Sequence, residues 1–490
     1  MNVLAEDARV LVVGLGVTGK AVVAALTDLD TSVRPTRIAT FDTHNPNADF
    51  HDVQDIEISD FNLVIASPGW APHNPIFVHA AHAGIPIWSE IELAWNLRVP
   101  RAGTTDPAPW VGVTGTNGKT TTVQMLESIC AADGKNVALV GNVGRPVIEV
   151  AQDPKIDVVA LELSSFQLHF THSMELEAAA LINIAPDHVD WHGSFENYVS
   201  DKARIYSRVK TACIYNADVP LTRSLVEQAD VADGARAVGF TLGAPQRGEI
   251  GLVEDVIVDR AFHLPQDDAQ RHHSADELAT FDDLAHLAGS AGTVPPHAVA
   301  NALAASAVAR AIGVSALSVK EGLRLFVPGQ HRMAHVATTE KLFDGTPGRV
   351  AFINDSKATN AHAAAASLTS FSASRIVWIA GGLAKGTRFD DLVAAHASTL
   401  RAAVIIGVDQ EPLRDAFRRH APTVPIQLVD SRETETVMER AVAAAYEIAC
   451  DGDVVLLAPA CASMDQFDSY AERGLEFTRC AQQVAEANQN

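Results

Sequence analysis

The residues with the clearest chemical potential lie in WVGVTGTNGKTTT, Trp110 to Thr122. A Val-rich run leads into a glycine-rich turn, and TTVQMLESIC then has helical spacing. Gly115, Thr116, Asn117 and Gly118 can turn backbone N–H groups inward on an anion, and a helix start adds its partial positive charge. Lys119 would reach the β- and γ-phosphates of a nucleotide, and the Thr120 hydroxyl would take a magnesium ion. The strict GxxxxGK[ST] spacing is not met, because Val113 stands where its first glycine belongs.

Other stretches carry weaker signals. VVGLGVTGKA contains Gly14-x-Gly16-x-x-Gly19 between a strand-like and a helix-like run, with Asp42 ending the next apolar run. That spacing suits a dinucleotide, another diphosphate, or simply a tight turn packing a helix on a sheet. Glu162 closes DVVALELSSFQL, and Asp187 and His188 close INIAPDHVDWHG. A carboxylate and an imidazole at neighbouring strand ends could approach the loop's magnesium, or merely cap turns. Lys202 shares a helical face with Tyr198 and Ile205, and spacing alone gives a helix lysine no role beyond solvation. INDSKATN, IAGGLAKG and APACASMDQF are polar stretches at strand ends, open to reading as a second pocket or as ordinary loops.

The elements that must position these residues follow a βα alternation throughout, the pattern of a mostly parallel sheet. A first series holds RVLVVGL, RIATFD, LVIAS and IPIWS, with EIELAWNL helical after it. RVPRAGTTDPAPW loses all periodicity and reads as a linker over residues 98–109. A second series runs from WVGVTG through NVALVG, DVVALEL, AAALINI, TACIYN and ARAVGF to the Ala-rich helix PPHAVANALAASAVARAIGV, which Gly313 ends. Between them, DRAFHLPQDDAQRHHSADELATFDDL is polar and expected at the surface. After VPGQHR a third series holds RVAFIND, RIVWIAGG, AAVIIGV, IQLVD and DVVLLAP.

At 490 residues the chain has room for about three domains. A formal charge of −23 excludes a general nucleic-acid binder, so any anionic ligand meets few, local cations. Five scattered cysteines without a CxxC pair predict neither a disulfide framework nor a thiolate zinc site. No signal peptide or membrane-spanning run is expected, which leaves a reduced cytoplasmic setting; separately, the protein is expected to be a monomer.

Taken together, GLGVTGKA, GTNGKTT, LELSSFQL, DHVDWHGSFENYVSDKARIY, INDSKATN and PACASMDQF resemble the Mur ligases, ATP-dependent amide-forming enzymes of peptidoglycan precursor synthesis, and within them the D-glutamate-adding branch. The resemblance spans almost the whole chain. It implies an α/β protein of three domains: a Rossmann-like sugar-nucleotide domain at 1–105, a central P-loop ATPase-like domain with a parallel sheet at 106–329, and a Rossmann-like amino-acid domain at 330–490. It implies that Gly115 to Thr121, Asn301, Arg332 and Asp355 hold ATP. Thr120, Glu162, His188 and a carbamylated Lys202 would serve two magnesium ions, with Lys119, His188 and Lys202 catalytic. Val17, Thr18, Asp42, Thr43, Ser67, Asn142 and Ser164 would meet UDP-N-acetylmuramoyl-L-alanine; Thr359, Lys385, Ser463 and Tyr470 would meet D-glutamate. The chain departs from the family pattern at His44, at Tyr470 and in GGLAKG, and its acidic segment after Asp259 is longer than the family needs. An NAD-dependent oxidoreductase on GxGxxG alone, or a P-loop switch without ligase activity, are the readings of other classes.

Overall fold

The computed structural model describes residues 4, 7–31, 33–288, 293–329, 331–343, 345–371 and 375–488. Its apolar runs form three sheets, each dominated by parallel pairs. The first holds β1 (Arg9–Val13), β2 (Arg37–Phe41), β3 (Leu63–Ala66) and β4 (Ile87–Ser89) in the order β2-β1-β3-β4, all parallel.

The second sheet holds β5 (Trp110–Thr114), β6 (Val137–Gly141), β7 (Val158–Glu162), β8 (Ala178–Leu181), β9 (Ala212–Asn216), β10 (Arg236–Phe240), β11 (Glu249–Val253), β12 (Val256–Asp259) and β13 (Asp276–Thr280). Their order is β13-β12-β11-β10-β9-β8-β5-β7-β6. Among these strands only the β11–β12 and β12–β13 pairs are antiparallel. β5 and its two neighbours are fully buried, which explains why they read as unbroken Val, Ala and Leu runs with no alternation. Because β7 and β8 flank β5 on opposite sides, the chain changes winding direction there. A crevice opens at the carboxyl ends of such strands.

The third sheet holds β14 (Ala334–Phe343), β15 (Thr346–Asn354), β16 (Ile376–Gly381), β17 (Leu400–Ile406), β18 (Ile426–Leu428) and β19 (Asp453–Leu457) in the order β14-β15-β19-β16-β17-β18. β14 and β15 form an antiparallel edge hairpin; the rest are parallel.

The chain divides into two compact units, Met1–His286 with Ala298–Phe326, and Leu287–His297 with Val327–Asn490. The first contains both of the first two sheets, fastened together. The helix Glu90–Asn96 leaves β4 with Ser89 as its N-cap, and the Ser89 hydroxyl also meets Thr171 at 2.8 Å. Glu92 accepts N–H bonds from His172 and Ser173, and Trp95 stands edge-on to Trp110 at 5.3 Å. Arg98 lies over the Trp95 ring. Among the described residues all five cysteines are free, four of them buried, and no helix is long and apolar enough to cross a membrane.

Candidate active site

The chain leaves β5 at Thr114 and makes its glycine-rich turn before the helix Lys119–Ala132. Gly118 has φ +81°, and a Cβ there would lie 2.5 Å from Asn301 Oδ1, so glycine is demanded twice over. Asn301 comes from the Ala-rich helix Pro296–Ala311 and also accepts from the Thr122 hydroxyl at 3.3 Å. The Asn183 side chain, just past β8, accepts from the N–H groups of Thr116 and Asn117 at 3.0 and 2.9 Å and donates to the Asn117 carbonyl. The Thr116 hydroxyl meets the Tyr198 hydroxyl at 2.9 Å. Thr121 lies half-buried in the helix's first turn.

Two lysines meet at this turn. Lys119 Nζ donates to the carbonyls of Gly115 (2.8 Å) and Thr116 (2.9 Å), and Lys202 Nζ donates to the same Gly115 carbonyl at 2.9 Å. Lys202 is 2% exposed and also lies against the Tyr198 ring. Burial first, and the nearby positive charge of Lys119 second, hold its amine well below the ordinary lysine range. Tyr198, Lys202 and Ile205 share one face, as their spacing predicts, but that face is buried, whereas a helix lysine is expected to be solvated.

The Thr120 hydroxyl donates to Glu162 Oε2 at 2.7 Å, and the other oxygen of Glu162 accepts from the Asn142 amide at 2.9 Å. β5, β7 and the segment after β6 thus bring Thr120, Glu162 and Asn142 to one place. His188, at φ +52°, lies beyond β8 with its ring edge-on to Phe166 and 3.7 Å from the Asp187 carboxylate. Among the described residues no three His, Cys, Asp or Glu side chains gather as a ready-made metal site. The Thr120 and Glu162 oxygens nevertheless suit magnesium, which takes one or two protein oxygens and completes its shell with phosphate and water.

At the first sheet's switch point, β1, β2 and β3 deliver Gly14, Asp42 and Ser67 to adjacent carboxyl ends. A Cβ on Gly19 would fall 1.8 Å from the Gly14 carbonyl, whereas one on Gly16 would meet nothing within 4 Å. Gly19 therefore serves helix packing, and the turn at Gly16 is open to a ligand. Val17, 80% exposed, and Thr18 begin the helix that follows. Burial raises the Asp42 carboxyl, but N–H bonds from Leu15, His44 and Asn45 outweigh it and lower it below its ordinary value. Ser67 donates to the Gly14 carbonyl, and Thr43 meets the His44 ring at 2.8 Å.

In the second unit β15, β19 and β16 lie side by side, so their following loops converge. Leu383 N–H donates to the Ala462 carbonyl at 2.9 Å, tying the loop that holds Lys385 (φ +49°) to the one that holds buried Ser463. Thr359 follows in the β15 loop, and Lys357 Nζ lies 3.8 Å over the Tyr470 ring. Burial raises the Asp355 carboxyl, against the pull of the Ser367 hydroxyl and of the Arg332 charge.

Comparison with known proteins bears directly on this arrangement. The Mur ligase middle domain pattern matches residues 113–309, and the Mur ligase glutamate ligase domain pattern matches residues 331–461. The UDP-N-acetylmuramoylalanine–D-glutamate ligase of Bifidobacterium adolescentis is 45% identical, covering 98% of both chains. The chain belongs to the Mur ligase family. Its relative of the same name from Streptomyces avermitilis is 51% identical over 85% of this chain and 83% of its own. The MurF ligase of Thermotoga maritima, solved with ADP, shares the fold at a TM-score of 0.51 and 16% identity, covering 99% of this chain and 97% of that one.

Several residues that hold this Mur ligase site together are not among those the sequence singles out. Asn183 fastens the phosphate loop. Asp201 accepts from both His169 and His192 at 2.9 Å, while the other nitrogen of His192 meets Ser165. The helix bearing Lys202 is thereby tied to the LELSSFQL segment. The side chain of Gln167 accepts from Ser164 N–H and donates to buried Glu90 at 2.7 Å. Arg473, 0% exposed, donates to the Ser356 hydroxyl and carbonyl and to the Cys461 carbonyl.

Proposed function

We propose that this chain joins D-glutamate to UDP-N-acetylmuramoyl-L-alanine at the expense of ATP, a step of peptidoglycan precursor synthesis. The substrate names come from the relatives. The geometric observation that carries the reading is the meeting of Lys119 and buried Lys202 on one carbonyl of the phosphate loop, beside Glu162. Residues 1–105 take the sugar nucleotide, 106–329 the ATP and 330–490 the amino acid.

The alanine carboxylate of the sugar nucleotide attacks the γ-phosphorus, forming an acyl phosphate as the bond to ADP breaks. The D-glutamate amine then attacks the acyl carbon, forming the amide and releasing phosphate and a proton. Both partners of the first step are anions, so Lys119 screens their repulsion while the loop N–H groups fix the phosphates. Thr120 and Glu162 would hold one magnesium ion, and His188 with a carbamylated Lys202 a second; bound magnesium would supply charge neutralisation and orientation. Asn301, Arg332 and Asp355 contact the nucleotide. Val17, Thr18, Asp42, Thr43, Ser67, Asn142 and Ser164 contact the sugar nucleotide. Thr359, Lys385, Ser463 and Tyr470 contact D-glutamate.

The test is phosphate release from ATP with the sugar nucleotide and a panel of amino acids. Release should require D-glutamate and fail with L-glutamate, meso-diaminopimelate and L-alanine. Hydrolysis indifferent to the amino acid would refute the ligase reading.

A further inference from the structure

The segment after Asp259, longer than the family pattern needs, meets several cations in a protein of net charge −23. Arg236, the first residue of β10, and Arg271 both donate to the Ala261 carbonyl, at 3.1 and 2.6 Å. Arg260 donates to the Pro245 and His272 carbonyls, and Arg247 reaches the His272 ring at 3.0 Å. Each guanidinium is therefore directed at a carbonyl or an imidazole, and that of Arg236 also lies over the Phe262 ring at 4.4 Å. Among the described residues none of the four forms an ion pair, although the Asp259 carboxylate is near enough for its charge to act on Arg236.

The acids nearby are spent elsewhere. Asp259 is held by Arg310 and by the N–H groups of Ala261 and Phe262, and Asp276 also pairs with Arg310. Glu249 takes the Gln246 N–H and Arg223, and Asp268 takes the Gln270 N–H. Meanwhile polar nitrogens are left over. Arg271 Nε and both ring nitrogens of His263 are buried from solvent with no hydrogen-bond partner. Like charges converging on one carbonyl repel, and unpaired buried donors are costly, unless an anion joins them.

We propose that Arg236 and Arg271, which share the Ala261 carbonyl, form a binding site for a phosphate-bearing small anion. Planar guanidinium forks match phosphate oxygens two at a time, which lysines do not. The site is not the phosphate loop. Arg236 begins β10, whereas the loop follows the carboxyl end of β5, three strands away in the same sheet. Strand spacing and rise put the two about 20 Å apart.

The experiment is calorimetric titration of the full chain with inorganic pyrophosphate in a Lys119→Ala background, which weakens the phosphate loop. One equivalent should still bind, and Arg236→Gln with Arg271→Gln added should weaken it roughly tenfold or more. The paired Lys substitutions, which keep the charge and lose the fork, should fall between. Inorganic phosphate run alongside distinguishes a single-phosphate from a diphosphate ligand, and binding of either at the arginines sustains the proposal. With Lys119 intact, the double Gln variant should keep D-glutamate-dependent phosphate release, showing that it folds. No binding up to about 10 mM in the Lys119→Ala chain, or binding untouched by the Gln pair, overturns the proposal.

Discussion

Burial against the Gly115 carbonyl and the Tyr198 ring sets the chemistry open to Lys202. Its amine is pushed toward the neutral form, and only a neutral amine can add carbon dioxide. The carbamate so formed is a carboxylate, which Lys202→Ala removes. Turnover of that variant should fall roughly 10²-fold and recover in part when acetate is added. A variant that binds ATP normally yet gains nothing from any short carboxylic acid would argue against a carboxylate at this position. Lys119 and Thr120 were legible in the sequence because a lysine and a hydroxyl directly follow a glycine turn at a helix start, the pairing that phosphate and magnesium need. Lys202 was not, since helical spacing does not say which face is buried. Asn183 and Asp201 were less legible still: their partners lie 66 and 32 residues away, and only folding joins them.

At the scale of elements, the parallel strands announced themselves as Val- and Ile-rich runs because both of their faces are covered. The antiparallel edges did not. β11 and β12 form a hairpin whose two-residue turn, Glu254-Asp255, puts Glu254 at φ +56° without the Asn-Gly or Asp-Gly signal that marks such turns. β14 alternates buried and exposed residues only loosely and was missed as well. The loops after β15 and β19 show how elements make a site that neither has alone. Arg473, on the helix Tyr470–Ala487, pins Ser356 to Cys461 and so fixes Thr359 relative to Ser463. Burial lowers its guanidinium to about 10, which leaves it charged at neutral pH. Arg473→Lys keeps a cation but cannot donate to three acceptors in one plane. We expect kcat/KM for D-glutamate to fall about 10- to 100-fold while ADP affinity, measured by titration, changes little. An equal loss of both would mean that Arg473 supports the fold and not the amino-acid loops.

At the scale of the molecule, the first unit depends on a seam between two sheets, and that seam buries an acid. Glu90 opens the helix after β4, and one of its oxygens accepts from Gln167 while the other has no partner. Burial raises its carboxyl from 4.5 to about 7, against the smaller pull of the Gln167 amide. Native protein therefore keeps this proton at a pH where the unfolded chain has lost it. Stability is full below about pH 4.5 and drains away as pH climbs through about 7, a loss of about 3 kcal/mol if the seam does not relax. Glu90→Gln keeps the oxygen that Gln167 needs and removes the titration. Its melting temperature should sit close to that of the parent at pH 5 and above it at pH 8, with the gap opening between. The same chain Glu90–Gln167–Ser164 reaches the segment proposed to meet the sugar nucleotide, so KM for that substrate should lose a matching pH dependence while KM for ATP does not. Melting curves that stay parallel from pH 5 to pH 8 would show that Glu90 ionises freely and that the seam admits water.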